Sequence, residues 1–189
     1  MPKIVSHPDR RREITYALWS VIYHRGITGV SFQAVADAAE ISVGRIQHYF
    51  ASKRDLVIEG ARTLVAMSSE RWASATEPDD ASANLASLVR QPIPRTEEFR
   101  LGSAVWYAYL AAALTDDELG EIVREAVASG FSLAAQLTAE LHGDVDARAA
   151  GVRLVALGNG LSQAVLIGAI SSTEALTLLD RELESVRPR

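Results

Sequence analysis

At 189 residues with no cysteine, the chain can bury a full core without a disulfide framework or a thiolate metal site, which fits a reducing cytosol. Apolar residues make up 48%, an ordinary globular share; no signal-peptide pattern opens the chain, and the longest apolar run, 104–114, is too short to span a bilayer. The net charge of −5 is uneven: residues 1–60 carry eight Lys/Arg against six Asp/Glu, or +2, while residues 61–189 carry eleven against eighteen, or −7. A basic excess confined to one end suits a polyanion-binding module on an acidic body.

Taken in chain order, Met1–His7 reads as a short disordered arm, and Pro8-Asp9 suits a first helical turn. Ile14, Ala17, Leu18, Val21 and Ile22 then form one helical stripe, stopped at Gly26. Arg10, Arg11 and Arg12 crowd its start and read equally well as a solvated run or a phosphate clamp. The next stretch, SFQAVADAAEISVGRIQHYF (31–50), predicts two short helices joined by a tight turn near Glu40, with Ser31 and Ser42 as N-caps. Small Ala36, apolar Ile41 and branched Ile46 sit where a helix-turn-helix needs them. The second helix then exposes Arg45, Gln47 and His48, side chains able to reach base edges or phosphates.

Val35-Ala36, Ile41-Ser42-Val43-Gly44, His48-Tyr49-Phe50 and Ser52-Lys53 resemble the DNA-binding signature of the TetR/AcrR family of bacterial transcriptional regulators. The resemblance implies an N-terminal three-helix DNA-binding domain, a helical C-terminal body that binds a ligand, and a two-fold dimer. It departs at two positions. Glu40 stands where the family has Gly, at a site that calls for positive φ and so costs roughly 1 kcal/mol or more, and Gln47 replaces a common Tyr. The candidate DNA-contacting set is Ser31, Ser42, Val43, Gly44, Arg45, Gln47, His48, Tyr49 and Lys53. Arg45 and Gln47 are expected to read bases, and Ser31, Tyr49 and Lys53 to hold phosphates.

Ser52 should cap a long helix running to about Trp72, long enough at roughly 1.5 Å per residue to join a DNA-binding domain to a separate body. Residues 75–80 read as a loop, and Asp80 or Ser82 starts a short helix stopped by Gln91-Pro92-Ile93-Pro94. Further helices are expected from Glu97 to Leu114, from Thr115-Asp116-Asp117-Glu118 to about His142, from Asp146 to about Ile170 with Gly143–Asp146 as its cap, and from Ser172 to the end. The fold class is therefore all-α, about nine helices with no strand, divided into a helix-turn-helix domain over 1–51 and a helical ligand-binding and dimerisation domain over 52–189. Trp106, the AAAL-T-DDEL segment and the late GNGL segment look most like the choline-responsive (BetI-type) subgroup.

A ligand pocket is expected among Met67, Trp106, Tyr109, Leu110, Phe131, Asn159 and Gln163, because Asn159 and Gln163 form an i,i+4 amide pair in an otherwise apolar segment. The dimer seam is expected on the last two helices: Leu154, Leu157, Leu161, Val165, Gly168, Leu176, Leu179 and Leu183. Gly151, Gly158, Gly160 and Ala164 keep the first of these helices small-sided, or else pack it within the subunit. The four histidines lie far apart, so no metal is expected, and no cofactor either. No nucleophile–base constellation assembles, which argues against an enzyme. The reading is a cytoplasmic, ligand-responsive repressor that binds double-stranded operator DNA as a homodimer, without a membrane role. An activator of the same fold and a helical interaction protein are the alternatives.

Overall fold

The computed structural model describes residues 7–142 and 146–185. Side-chain caps set where most helices begin. Ser31 Oγ accepts from the Ala34 N–H at 3.1 Å, Ser42 Oγ from Arg45 at 3.3 Å, and Ser52 Oγ from Asp55 at 3.0 Å. Asp80 Oδ1 accepts from Ala83 at 2.8 Å, Thr96 Oγ1 from Phe99 at 3.3 Å, and Asp116 Oδ1 from Leu119 at 3.1 Å. Each satisfies one orphan donor of a first turn, typically worth about 1 kcal/mol.

The helices that follow are α1 (His7–Arg25), α2 (Phe32–Ala38), α3 (Val43–Tyr49), α4 (Lys53–Ser74), α5 (Ala81–Arg90), α6 (Glu97–Ala112), α7 (Asp117–His142), α8 (Ala147–Leu166) and α9 (Ser172–Ser185), with a 3-10 turn at Ile27–Gly29. No strand occurs among the described residues. The protein is all-α. Three helix ends differ from expectation. Ser171, rather than Ser172, caps α9, its Oγ 3.1 Å from the Glu174 N–H, because the Ser172 hydroxyl donates instead to the Pro94 carbonyl. Helix α8 stops at Leu166 because Gly168 takes φ +76°, and the expected cap Asp146 sits at φ 60° with no side-chain capping bond. The rest of that expected cap, 143–145, and the N-terminal arm over 1–6 lie outside the described residues.

Compactness divides the chain elsewhere than at residue 51. One unit runs to Val65 and includes Ala104–Val123; the other holds Ala66–Ser103 and Arg124 onward. In the first, Ile14, Leu18, Val21 and Ile22 of α1 are buried, as are Val35 of α2, Ile46 of α3 and Phe50 just beyond it. Leu56 and Ile58 of α4, Val105 and Tyr109 of α6, and Leu119 and Val123 of α7 are buried in the same unit. In the second, Leu85, Val89, Ile93, Ala134, Leu137, Leu154, Val165, Ala175, Leu179 and Leu183 form one buried cluster, with α5 packed on α8 and α9.

Candidate nucleic-acid interface

The turn between α2 and α3 is built by backbone bonds that need a left-handed residue. Ile41 N–H donates to the Ala36 carbonyl at 3.0 Å and Glu40 N–H to Asp37 at 3.3 Å, with Glu40 at φ 56°. That pair of bonds is the Schellman closure of a helix end. It reverses the chain so that Ile46, wholly buried, anchors α3 on the unit's core. Anchoring by Ile46 settles which side of α3 faces solvent: Ser42, Gly44, Arg45, Gln47 and His48 are exposed, and Val43 and Tyr49 half-buried. Ser31 and Lys53 are exposed as well. A Cβ built on Gly44 would meet nothing, so this side of the helix is open.

One contact had no signal in the spacing of residues. Arg11 donates to the Tyr49 carbonyl at 3.0 Å, lies 4.7 Å from the Phe50 ring centroid and 3.5 Å from Glu59. It therefore closes the C-terminal end of α3, 38 residues away in sequence. Arg10 pairs with Glu13. Of the three arginines weighed as a phosphate clamp, Arg11 and Arg10 are thus engaged within the protein, and Arg12 is exposed.

Behind this surface, Gly60 lets α1, α4 and α6 close together. A side chain there would collide with the Tyr109 hydroxyl and a Leu18 methyl. Trp19 Nε1 donates to the Gly60 carbonyl at 3.2 Å. The Tyr109 hydroxyl has no hydrogen-bond partner among the described residues, and burial pushes its pKa above the ordinary phenol value. At the surface of the same unit, Arg54 near the start of α4 pairs with Asp116 and Glu118 at the start of α7, and Arg62 pairs with Glu118 at 3.2 Å. The Arg54 hydrogen bond, joined by the Leu119 N–H, holds the Asp116 carboxyl below the usual range, and Asp116 raises Arg54 in turn.

The residues expected to bind a ligand fall in both units. Tyr109 is wholly buried as core of the first unit, and Trp106 and Leu110 are half-buried there. Met67, Phe131 and Asn159 are half-buried in the second. Gln163 is exposed and Asn159 has interactions of its own, so the buried amide pair on which the pocket reading rested is absent. An open cleft of about 480 Å³ in the second unit, lined by Asp80, Ser82, Ser87, Arg90 and Arg95, contains none of the expected residues.

The expected dimer residues also divide. Leu154, Val165, Leu179 and Leu183 belong to the second unit's own core. Leu157, Leu161 and Leu176 pack partly against it, and Gly168 is the exposed left-handed residue that ends α8. Gly151 presses on the Ala134–Ala135 backbone and Gly158 on the Val89 carbonyl, so these two glycines serve packing within the subunit. Gly160 meets nothing. The free side of α8 carries Ala149, Arg153, Ala156, Gly160, Gln163 and Ile167, at helical spacing and all exposed.

Among the described residues no cluster of His, Cys, Asp or Glu could hold a metal ion, and no helix is long and apolar enough to cross a membrane. Comparison with known proteins gives two family matches: "Bacterial regulatory proteins, tetR family" over residues 14–59, and "BetI-type transcriptional repressor, C-terminal" over residues 81–188. An HTH-type transcriptional regulator BetI of Pseudomonas paraeruginosa is 30% identical over 97% of this chain and 98% of its own length. An HTH-type transcriptional regulator PksA of Bacillus subtilis is 28% identical over 86% and 81%. Among solved structures, a transcriptional regulator from a Rhodococcus species matches with a TM-score of 0.85 at 23% identity, covering 93% of this chain and 95% of that one. A regulator from Saccharomonospora viridis, solved in complex with choline, matches with a TM-score of 0.82 at 24% identity, covering 94% and 97%.

Proposed function

The chain belongs to the TetR family of bacterial regulatory proteins, with a C-terminal region of the BetI type, and from that premise we propose that it is a cytoplasmic homodimeric repressor released from a pseudo-palindromic operator by a small-molecule effector. It is a transcriptional regulator and not an enzyme. The observation that carries the operator reading is the exposure of Ser42, Gly44, Arg45, Gln47 and His48 on α3, with Ile46 buried and Lys53 exposed at the start of α4. Those side chains combine direct readout in a major groove with backbone neutralisation. Arg45 and Gln47 read base edges; Tyr49, Lys53 and Ser31 hold phosphates. The functional division runs near residue 51, the DNA-binding part preceding it.

The dimer seam lies on the free sides of α8 and α9. Ile167, at 82% exposure, and Leu178, at 41%, are its apolar anchors, and Gly160 lets a second backbone approach. Two-fold symmetry then presents two copies of α3 to half-sites about one helical turn of DNA apart. Because a structural neighbour was solved with choline, choline heads the panel of effectors to try.

A gel shift across a salt series, with DNA from around its own gene, tests this reading. Arg45→Ala should cost about 1–3 kcal/mol at one base pair and relax specificity there. Lys53→Ala should weaken all sequences alike and lower the salt slope by about one. If both variants bind like wild type, α3 is not the reading element.

A further inference from the structure

The first two residues of α4 are both cations, and the first unit treats them differently. Lys53 is exposed and in no ion pair among the described residues. Arg54 is held. Its guanidinium donates to both carboxylate oxygens of Asp116, one of them at 3.0 Å, and to Glu118 at 3.3 Å. A forked pair of bonds from guanidinium to carboxylate is the same arrangement that a guanidinium makes with phosphate. The acceptors are fixed in turn. Asp116 caps α7, its Oδ1 taking the Leu119 N–H at 3.1 Å, and Glu118 also accepts from Arg62 at 3.2 Å. All of these residues lie within the first unit.

Fold stability is a weak reason for this arrangement. Arg54 is 54% exposed, Arg62 57% and Glu118 43%, and ion pairs so open to water contribute little to a fold. DNA affinity is far more sensitive to the same charge. Each cation that neutralises a backbone phosphate releases counterions and steepens the salt dependence of binding by about 0.9. Arg54 leaves the same first turn as Lys53, so it is one more phosphate contact when free and none when carboxylates hold it. The Arg54 hydrogen bond keeps the Asp116 carboxyl below the usual range, so that acceptor is ionised at neutral pH.

We propose that Asp116 and Glu118 stand in for DNA phosphate: they occupy the Arg54 guanidinium and withhold it from the DNA backbone, which keeps the sequence-independent part of DNA affinity low. The proposal rests on the operator reading above. It involves no movement of any helix; only the partner of one cation differs. Base reading by α3 is untouched, because a phosphate contact carries no sequence information. Lys53 and Arg54, adjacent in the chain, then have opposite roles. Lys53 is the cation offered to DNA, and Arg54 is the cation kept back by the start of α7.

The test measures the affinity of the full-length protein across a salt series for two duplexes, one of mixed sequence and one selected by the wild-type protein from a random pool. Asp116→Asn with Glu118→Gln removes both charges that hold Arg54 and keeps an oxygen for the Leu119 N–H. This variant should bind both duplexes about five- to tenfold more tightly near 0.1 M salt, with a salt slope steeper by about one and an unchanged ratio between them. Adding Arg54→Gln should return the slope to the wild-type value. Arg54→Gln alone, which keeps both carboxylates, should leave the slope where it is. Asp117→Asn with Glu121→Gln removes two charges from the same end of α7 without touching Arg54, and should steepen the slope far less. An equal gain from that control would assign the effect to net charge and overturn the proposal. So would a slope that falls by about one in Arg54→Gln alone, since Arg54 would then already be on phosphate. If wild type binds DNA and the Asp116→Asn, Glu118→Gln variant has the same slope, the withheld cation falls and the operator reading stands. If no form of the protein binds DNA, both fall.

Discussion

Helices α3 and α8 both carry small residues and both have an exposed face, yet only α3 could be oriented before the structure was known. In α3 a single apolar anchor, Ile46, is buried, and the residues around it are polar, so one periodic stripe leaves one solution. Helix α8 has two stripes of small and apolar residues, the outer one interrupted by Arg153 and Gln163. The inner one, with Ala147, Ala150, Gly151, Leu154, Gly158 and Val165, is buried. The outer one, with Ala149, Arg153, Ala156, Gly160, Gln163 and Ile167, is exposed. Periodicity detects a stripe but cannot say which of two faces the subunit's own core and which a partner.

The sharpest way to break this comparison is to cut each stripe of α8. Leu154→Ala should cost roughly 2–5 kcal/mol of stability, read from urea unfolding, because Leu154 is 1% exposed within the cluster on α5, α7 and α9. A loss under about 1 kcal/mol, the scale of a surface change, would mean that the stripe is not core. Ile167→Glu should convert dimer to monomer by light scattering, and lower the urea midpoint only by the concentration-dependent part that dimerisation contributes. A variant that stays dimeric would remove the outer face as the seam.

The sequence carried the local grammar well. Ser31, Ser42, Ser52 and Asp80 all cap where expected, since an N-cap is decided by one residue and its next three. The all-α class and the helix-turn-helix were legible for the same reason. What was not legible was set by distant partners. The Arg11 contact with the end of α3 spans 38 residues, and nothing near Arg11 announces it. Tyr109 was read as a ligand-facing ring, but Gly60 of α4 makes a slot that its hydroxyl fills. Gln163 was read as buried because its neighbours are apolar, and that same outer stripe is exposed.

A smaller effect compares the ends of two helices. Helix α8 closes with Ala169 N–H on the Ala164 carbonyl at 2.9 Å and Gly168 N–H on Val165 at 3.1 Å, the same pair of bonds that ends α2. The left-handed residue is Gly168 in one and Glu40 in the other. Glu40→Gly should therefore stabilise the protein, and Gly168→Ala destabilise it, each by about 1 kcal/mol in thermal unfolding. If Glu40→Gly also leaves DNA affinity unchanged, Glu40 is tolerated strain; a fall in affinity would mean that its carboxylate shapes recognition.

The smallest expected effect lies at the Arg54–Asp116 pair, and pH reads it. Asp116 has a carboxyl pKa depressed in the folded state, first by the Arg54 hydrogen bond and then by the Leu119 N–H. A depressed carboxyl pKa contributes stability that is fully present above its unfolded value, about 3.9. That contribution is lost as pH falls through the lower folded value. Asp116→Asn keeps an oxygen able to accept from Leu119 but removes the charge facing Arg54. Wild type should therefore unfold at a slightly higher urea concentration than Asp116→Asn near neutral pH, and the gap should close in acid as the wild-type carboxyl protonates. Because Arg54 is 54% exposed, high salt should narrow the gap as well. A gap that persists in strong acid would assign the difference to the cap geometry at Leu119, and no gap near neutrality would mean that the pair contributes nothing to holding α4 and the start of α7 together.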